Sequence, residues 1–262
     1  MLFVSIKTSY MKFNNKWSRL VLVFICLIVY SSCEKQAASS DKAGPNGAGG
    51  SLARFAIVGN YLYIAQQFDL TAIDISDPSK PVVKSVQPIG FDIETIFPYK
   101  NKLYLGASTG LYIYSIADPL HPVKEGSVTH FRACDPVVSN DTISYVTLRN
   151  FGTTCGSASN VLNVYDTKDP RQPKLVKTIE MKSPYGLGIR NKALYVCEGL
   201  NGLAVFDLTD PYRPALKKTI SDEIFYDVIP YTDVLIAYME KGVSFYDLTD
   251  PLSPKLVGSV KN

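Results

Sequence analysis

The chain has 262 residues, enough for one large domain or two small ones around a proper core. With 46% hydrophobic and 19% charged residues, global disorder is excluded. The formal charge of +3 comes from the N-terminus. Lys7, Lys12, Lys16 and Arg19 stand among the first 32 residues, which carry no acid; the other 23 of the 27 Lys and Arg face 24 Asp and Glu. A near-neutral body argues against nucleic acid as a main partner, because that binding rests on neutralising phosphates.

Residues 1–32 read as a lipoprotein signal peptide. A basic stretch precedes the 11-residue apolar run from Leu20 to Tyr30. Such a run spans about half a bilayer core, short for a transmembrane helix and right for an export signal. Ser31-Ser32-Cys33 follows at once and resembles a lipobox, although Tyr30 is larger than the usual residue at its place. The resemblance implies that Cys33 is lipidated and that the chain is exported and anchored in the cell envelope, at the outer membrane. The bland alternative is an ordinary signal peptide with an incidental cysteine. Residues 33–50 are rich in Gly, Ser, Ala and Pro and form a flexible linker behind Cys33.

From residue 51 the chain repeats itself. Asp-Pro-x-x-Pro occurs at Asp77, Asp118, Asp169, Asp210 and Asp250, in steps of 41, 51, 41 and 40. Each copy follows a strand-like run, from Leu70-Thr-Ala-Ile-Asp-Ile to Val243-Ser-Phe-Tyr-Asp-Leu. A second strand lies upstream, with Tyr63, Tyr104, Tyr145, Tyr195 and then Ile236 at its centre. A third precedes that one behind a Gly or Asn turn, and a fourth, polar-alternating strand follows the Asp-Pro turn. Four short antiparallel strands in about 41 residues describe a β-propeller blade. Residues 51–262 therefore predict an all-β, five-bladed propeller of four-stranded blades. No strand is left to be shared between the first and last blades, so blade 1 is expected to close on blade 5 by packing.

The D-[IL]-[ST]-D-P-x-x-P turn behind an aliphatic strand resembles the LVIVD-repeat proteins, exported or lipidated bacterial propellers. Blade 2 departs, with Ser115 where the others have Asp74, Asp166, Asp207 and Asp247. The resemblance implies fold and export and brings no established reaction.

The chemistry is sparse. The repeated Asp-x-x-Asp-Pro turns offer two carboxylates each, too few for calcium, and their recurrence in every blade marks them as scaffold, with Asp77 and its equivalents capping the turn. No zinc spacing, P-loop or Gly-flanked serine elbow is present, so neither metal nor cofactor is expected. Behind the leader, Cys134 and Cys155 flank blade 3 and are expected to form a disulfide. Cys197, at the end of a strand, is expected to be a small buried residue and is the rival partner for Cys155.

The A–B and C–D turns, counting strands A to D outward from the axis, are tight and repetitive. The B–C and D–A loops vary, and variable loops on a rigid scaffold carry function. That face is expected to present Glu198, Phe225 and Met239 among others. Glu94, Asp135, Tyr185 and Tyr226 hold equivalent places before strand A and are expected to ring the funnel mouth. The loops of blade 3 add Arg132, Arg149 and Asn150. The chain is thus read as a non-enzymatic, membrane-anchored module whose loop-rich face binds an envelope protein or polymer. The second reading is an extracellular glycan-active hydrolase or lyase with a funnel site. It is weakened because the one tryptophan, Trp17, lies in the leader.

Overall fold

The computed structural model describes residues 50–129, 136–150 and 159–261. The described residues form strands joined by turns and bends, and none of them is helical. Blade 1 consists of β1 (Phe55–Val58), β2 (Tyr61–Asp74) and the first half of β3 (Val82–Tyr99). The second half of β3, with β4 (Lys102–Ala107), β5 (Gly110–Ser115) and β6 (Val123–Thr129), makes blade 2. Blade 3 holds β7 (Val137–Ser139), β8 (Ile143–Leu148), β9 (Val161–Asp166) and β10 (Lys174–Glu180). Blade 4 holds β11 (Leu187–Arg190), β12 (Ala193–Cys197), β13 (Leu203–Asp207) and β14 (Ala215–Ile220). Blade 5 holds β15 (Phe225–Tyr231), β16 (Val234–Met239), β17 (Gly242–Asp247) and β18 (Lys255–Lys261).

This is the five-bladed, all-β propeller that the repeat predicts, with a local difference in its strands. Two pairs of expected strands run on without a break. β2 carries both middle strands of blade 1, and the Ile75 amide donates to the Asn60 carbonyl at 2.8 Å, which folds the end of β2 beside its start. β3 leaves the outer edge of blade 1 and becomes the inner strand of blade 2, passing Gly90 at φ 74°. The positive φ there suits glycine, which has no Cβ to clash.

The Asp-Pro unit is a double turn held by side chains. The first Asp of each pair accepts the amide two residues on: Asp74 from Ser76, Asp166 from Lys168, Asp207 from Thr209 and Asp247 from Thr249. Ser115 does the same for Ala117, so the departure in blade 2 keeps the turn. The second Asp repeats the bond one step later, from Asp77 with the Ser79 amide at 3.0 Å to Asp250 with Leu252 at 3.1 Å. The hydroxyls of Ser76, Ser79, Thr209 and Thr249, and after them these amides, hold the carboxyls of Asp74, Asp77, Asp207 and Asp247 below the usual carboxylate range. The carboxylates serve the scaffold, as their recurrence implies.

A tyrosine in the second strand links consecutive blades. Tyr63 donates its hydroxyl to the Pro119 carbonyl at 3.0 Å, Tyr145 to Pro211 at 2.8 Å and Tyr195 to Pro251 at 2.7 Å. Each bond runs from one blade to the Asp-Pro turn of the next. Around it lies an apolar cluster, one at each of the junctions 1/2, 2/3, 3/4 and 4/5. The middle strands of blades 2 to 4 are buried on both faces and read as continuous apolar runs. The outer strands are exposed edges carrying Lys84, Lys124, Lys177 and Lys218, which discourage edge-to-edge pairing.

The fifth junction differs from the packing expected of it. No apolar cluster of described residues spans blades 5 and 1, and Phe55 and Ile57 of blade 1 are 60% and 45% exposed. A polar link is present: Ser51, ahead of blade 1, donates its hydroxyl to Asp227 of blade 5.

Candidate functional site

Three of the expected ligand-binding residues meet on the loop-rich face. Arg149 leaves the end of β8, and its guanidinium carbon lies 3.5 Å from the centre of the Tyr185 ring. Tyr185 meets Tyr226 edge-on at 5.3 Å, and Tyr226 meets Tyr238 at 5.9 Å. The row runs from blade 3 across blade 4 to blade 5. Stacking of a guanidinium on a phenol ring is favoured by the negative potential of the ring face, and edge-on rings complement each other's quadrupoles.

The backbone fixes this row from several directions. The Tyr185 amide donates to the Cys197 carbonyl at 2.7 Å, and its carbonyl accepts from the Thr147 hydroxyl at 2.7 Å. Gly199, at φ 54°, passes beneath the ring; a Cβ there would come within 2.8 Å of Tyr185. Asn150 belongs to the same support. Its amide donates to Asn160, whose side-chain amide donates to the Lys182 carbonyl at 2.7 Å. The Lys182 amide in turn donates to Glu198 at 2.6 Å. Glu198 is therefore a buried strut and not a presented carboxylate. Phe225 and Met239, also expected on the face, are fully buried between blades 4 and 5. Glu94 stands on β3 in blade 2 and is partly buried.

Tyr226 lies at a register shift of β15, where the pairing skips from Phe225 to Asp227. Partial burial raises the Tyr226 pKa, and Glu240, Tyr185 and Tyr238 add to the shift. The hydroxyl stays protonated at neutral pH, able both to donate and to accept. Tyr238 went unremarked in the sequence because it sits mid-strand where the repeat has no aromatic.

The segment ahead of blade 1 is tied to the inner strands of blades 4 and 5. Asp227 accepts the Ser51 hydroxyl at 3.2 Å and the Val228 amide at 3.0 Å, with the Ser51 and Leu52 amides close enough to favour its charge. Ser51 Oγ in turn accepts the Leu187 amide at 2.7 Å. Gly50 and Gly186 crowd the same carboxylate; a Cβ on either would stand 2.1 or 2.0 Å from its oxygens. Burial outweighs these bonds and pushes the Asp227 pKa up to about 6.

Arg132, Asp135, Cys134 and Cys155 lie outside the described residues, as does Cys33. Cys197 is a free thiol buried in the 4/5 cluster, where burial raises its pKa well above the ordinary value. Among the described residues no group of His, Cys, Asp or Glu could hold a metal ion, and no helix is long and apolar enough to cross a membrane. On the opposite, Asp-Pro face a groove of about 740 Å³ runs along Glu125, Asp166, Lys168 and Asp169 to Arg171 and Lys174. Its carboxylates are already engaged: Asp166 and Asp169 hold turn amides, and Glu125 pairs with Lys102.

The blades, their linking tyrosines and a loop-rich face set around a funnel define a β-propeller. The LVIVD repeat family matches at residues 49–86, which is the first blade, and the same turn recurs in the other four. The chain thus carries an LVIVD repeat within a β-propeller fold. No curated protein matches it. Solved structures similar to it include a functionally unknown protein from Desulfotomaculum acetoxidans, with a TM-score of 0.63 at 10% identity over 78% of this chain and 67% of that one. A protein from Lactobacillus plantarum gives 0.60 at 15% identity over 76% and 67%. The periplasmic gluconolactonase of Pseudomonas aeruginosa gives 0.59 at 12% identity over 78% and 68%. The chain thus spans about two thirds of the length of these proteins, and at such identities the likeness is one of fold.

Proposed function

We propose that this chain is a membrane-anchored, extracytoplasmic binding module that holds an envelope protein or polymer on its loop-rich face. The observation that carries the reading is the Arg149–Tyr185–Tyr226–Tyr238 row. Tyrosine supplies large contact area with little side-chain entropy to lose, together with a polar tip for hydrogen bonds. The row is held by backbone bonds on both sides of Tyr185, so little order remains to be imposed on binding. Anchoring through an acylated Cys33 follows from the lipobox-like Ser31-Ser32-Cys33 and the linker behind it. The several acyl chains of a bacterial lipoprotein would make that anchor stable where one chain would not.

The glycan-active reading has less support. The gluconolactonase shares the fold at 12% identity, and fold alone does not carry a reaction. Asp227, the buried carboxylate of β15, is turned to the chain's own Ser51 and Val228.

The test is co-purification from detergent-solubilised membranes. The wild-type chain is expected to retain a defined partner, and Arg149→Ala with Tyr226→Ala to lose it at least tenfold with the strand spectrum intact. Cys33→Ala should move the chain out of the membrane fraction. Undiminished retention by the double variant overturns the site, and membrane association of Cys33→Ala overturns the anchor.

A further inference from the structure

The tyrosine row holds one cation, and that cation is the chain's own. Arg149 lies over Tyr185, and Gly199 comes so close to the same ring that a Cβ would stand 2.8 Å from it. Tyr226 and Tyr238 continue the row at 5.9 Å and 46° to each other, and among the described residues no cation lies over either ring. β15 and β16 bring a carboxylate to the same place. Their pairing runs from Phe225 and Met239 to Asp227 and Tyr238, which leaves Tyr226 as the extra residue of a bulge. A bulge re-aims a side chain in this way. Glu240, one residue past Met239, donates its amide to the Ile224 carbonyl at 3.0 Å and so stands across from the start of β15. Burial raises the Tyr226 pKa, and the charge of Glu240 adds to the rise, which sets the carboxylate beside the hydroxyl. Tyr238 and Glu240 are exposed and Tyr226 is partly buried. Among the described residues Glu240 forms no ion pair; Lys261 is held by Glu223 at 2.6 Å.

Ring faces, phenol oxygens and a carboxylate all favour positive charge. We infer that Tyr226, Tyr238 and Glu240 form a subsite for a guanidinium, the side chain of an arginine on the envelope protein held by the loop-rich face. The inference rests on the binding role proposed for that face and adds the chemistry of the group it takes. Arginine follows from the mixture of groups. A planar guanidinium lies on a phenol ring, as Arg149 does on Tyr185, and its N–H fork reaches a carboxylate at the same time. A quaternary ammonium would suit the rings but bring no donor to Glu240. An acidic polymer would be repelled by the same carboxylate.

The experiment is an NMR titration of the full chain in detergent with isotope-labelled tyrosine rings, Tyr226 and Tyr238 being assigned from their Phe variants. The probe is N-acetyl-arginine amide, and the matching citrulline compound has its shape without its charge. The arginine probe is expected to shift both rings saturably and the citrulline compound to leave them in place. Glu240→Gln should weaken the response about threefold, the size of an exposed ion pair. Tyr226→Phe keeps the ring face and should keep the response, whereas Tyr226→Leu should abolish it at Tyr238. Circular dichroism checks the strands, and Tyr238→Leu, read at Tyr226, replaces Tyr226→Leu if that variant loses them. Rings that stay in place with the arginine probe, equal shifts with citrulline or an undiminished response in Glu240→Gln overturn the inference. An equal response to tetramethylammonium overturns it in favour of a lipid headgroup, and an equal response to glucosamine in favour of a polymer. The binding role of the face is judged separately. A partner lost with Arg149→Ala and Tyr226→Ala but kept by Glu240→Gln upholds the face and rejects the subsite.

Discussion

Asp227 has a measurable consequence for stability. Its carboxyl is pushed up to about 6, chiefly by burial, so the folded chain holds this proton more tightly than the unfolded one. Stability from this group is full below the unfolded value near 4 and declines as pH rises toward 6. Integrated over that window, the charged form costs about 3 kcal/mol. Asp227→Asn keeps an oxygen for the Ser51 hydroxyl and the Val228 amide and carries no charge. Urea unfolding is expected to show a shallower fall between pH 4 and 6 for Asp227→Asn and greater stability than the wild type at pH 7. An unchanged slope would place the buried proton elsewhere. The sequence did not reveal this residue. Counting back from strand A selects Tyr226 for the funnel, and the register shift between Phe225 and Asp227 moves the inward position by one. A bulge adds one residue to one strand and shifts the alternation there, so buried Phe225 and Val228 stand three apart, and only the pairing partner shows where the extra residue lies.

At the scale of the element, the strands were legible because two signals agree. β-Branched and aromatic runs mark the strands, and Asp-Pro turns at fixed spacing mark their ends. The turn chemistry was legible for the same reason, down to the capping role of Asp77 and Asp250. The tyrosines of the second strand were visible as a column, but their task was not. A hydroxyl that crosses to a carbonyl 56 residues away leaves no local trace. Desolvation raises the pKa of Tyr195, as expected of a phenol enclosed at a junction. Tyr195→Phe deletes its bond to Pro251 and leaves that carbonyl short of a donor. The expected loss is about 1 kcal/mol in chemical denaturation, with the urea dependence unchanged. No measurable loss would mean that water replaces the hydroxyl and that the apolar cluster alone holds the junction. The strand breaks expected within 61–74 and 82–99 are absent for a related reason. Hairpin tips and crossovers with extended backbone look like turns in composition and like strands in hydrogen bonding.

For the whole molecule, the repeat arithmetic gives the number of blades and the division of faces, because 212 residues in steps near 41 leave room for no other regular unit. It does not reveal how blade 5 meets blade 1. That junction has the same sequence pattern as the other four, and the exposure of Phe55 and Ile57 sets it apart. The assignment of function to one face rests on a contrast. The Asp-Pro face spends its carboxylates on its own amides, whereas the loop-rich face assembles Arg149, Tyr185, Tyr226 and Tyr238 from three blades. The most direct measurement is site-specific photo-crosslinking in intact cells, with a benzophenone amino acid at Tyr226 in one strain and at Ser79, on the Asp-Pro face, in another. A discrete adduct of defined mass from position 226 and none from position 79 is the expected result. Adducts from position 79 with none from position 226 would contradict the account.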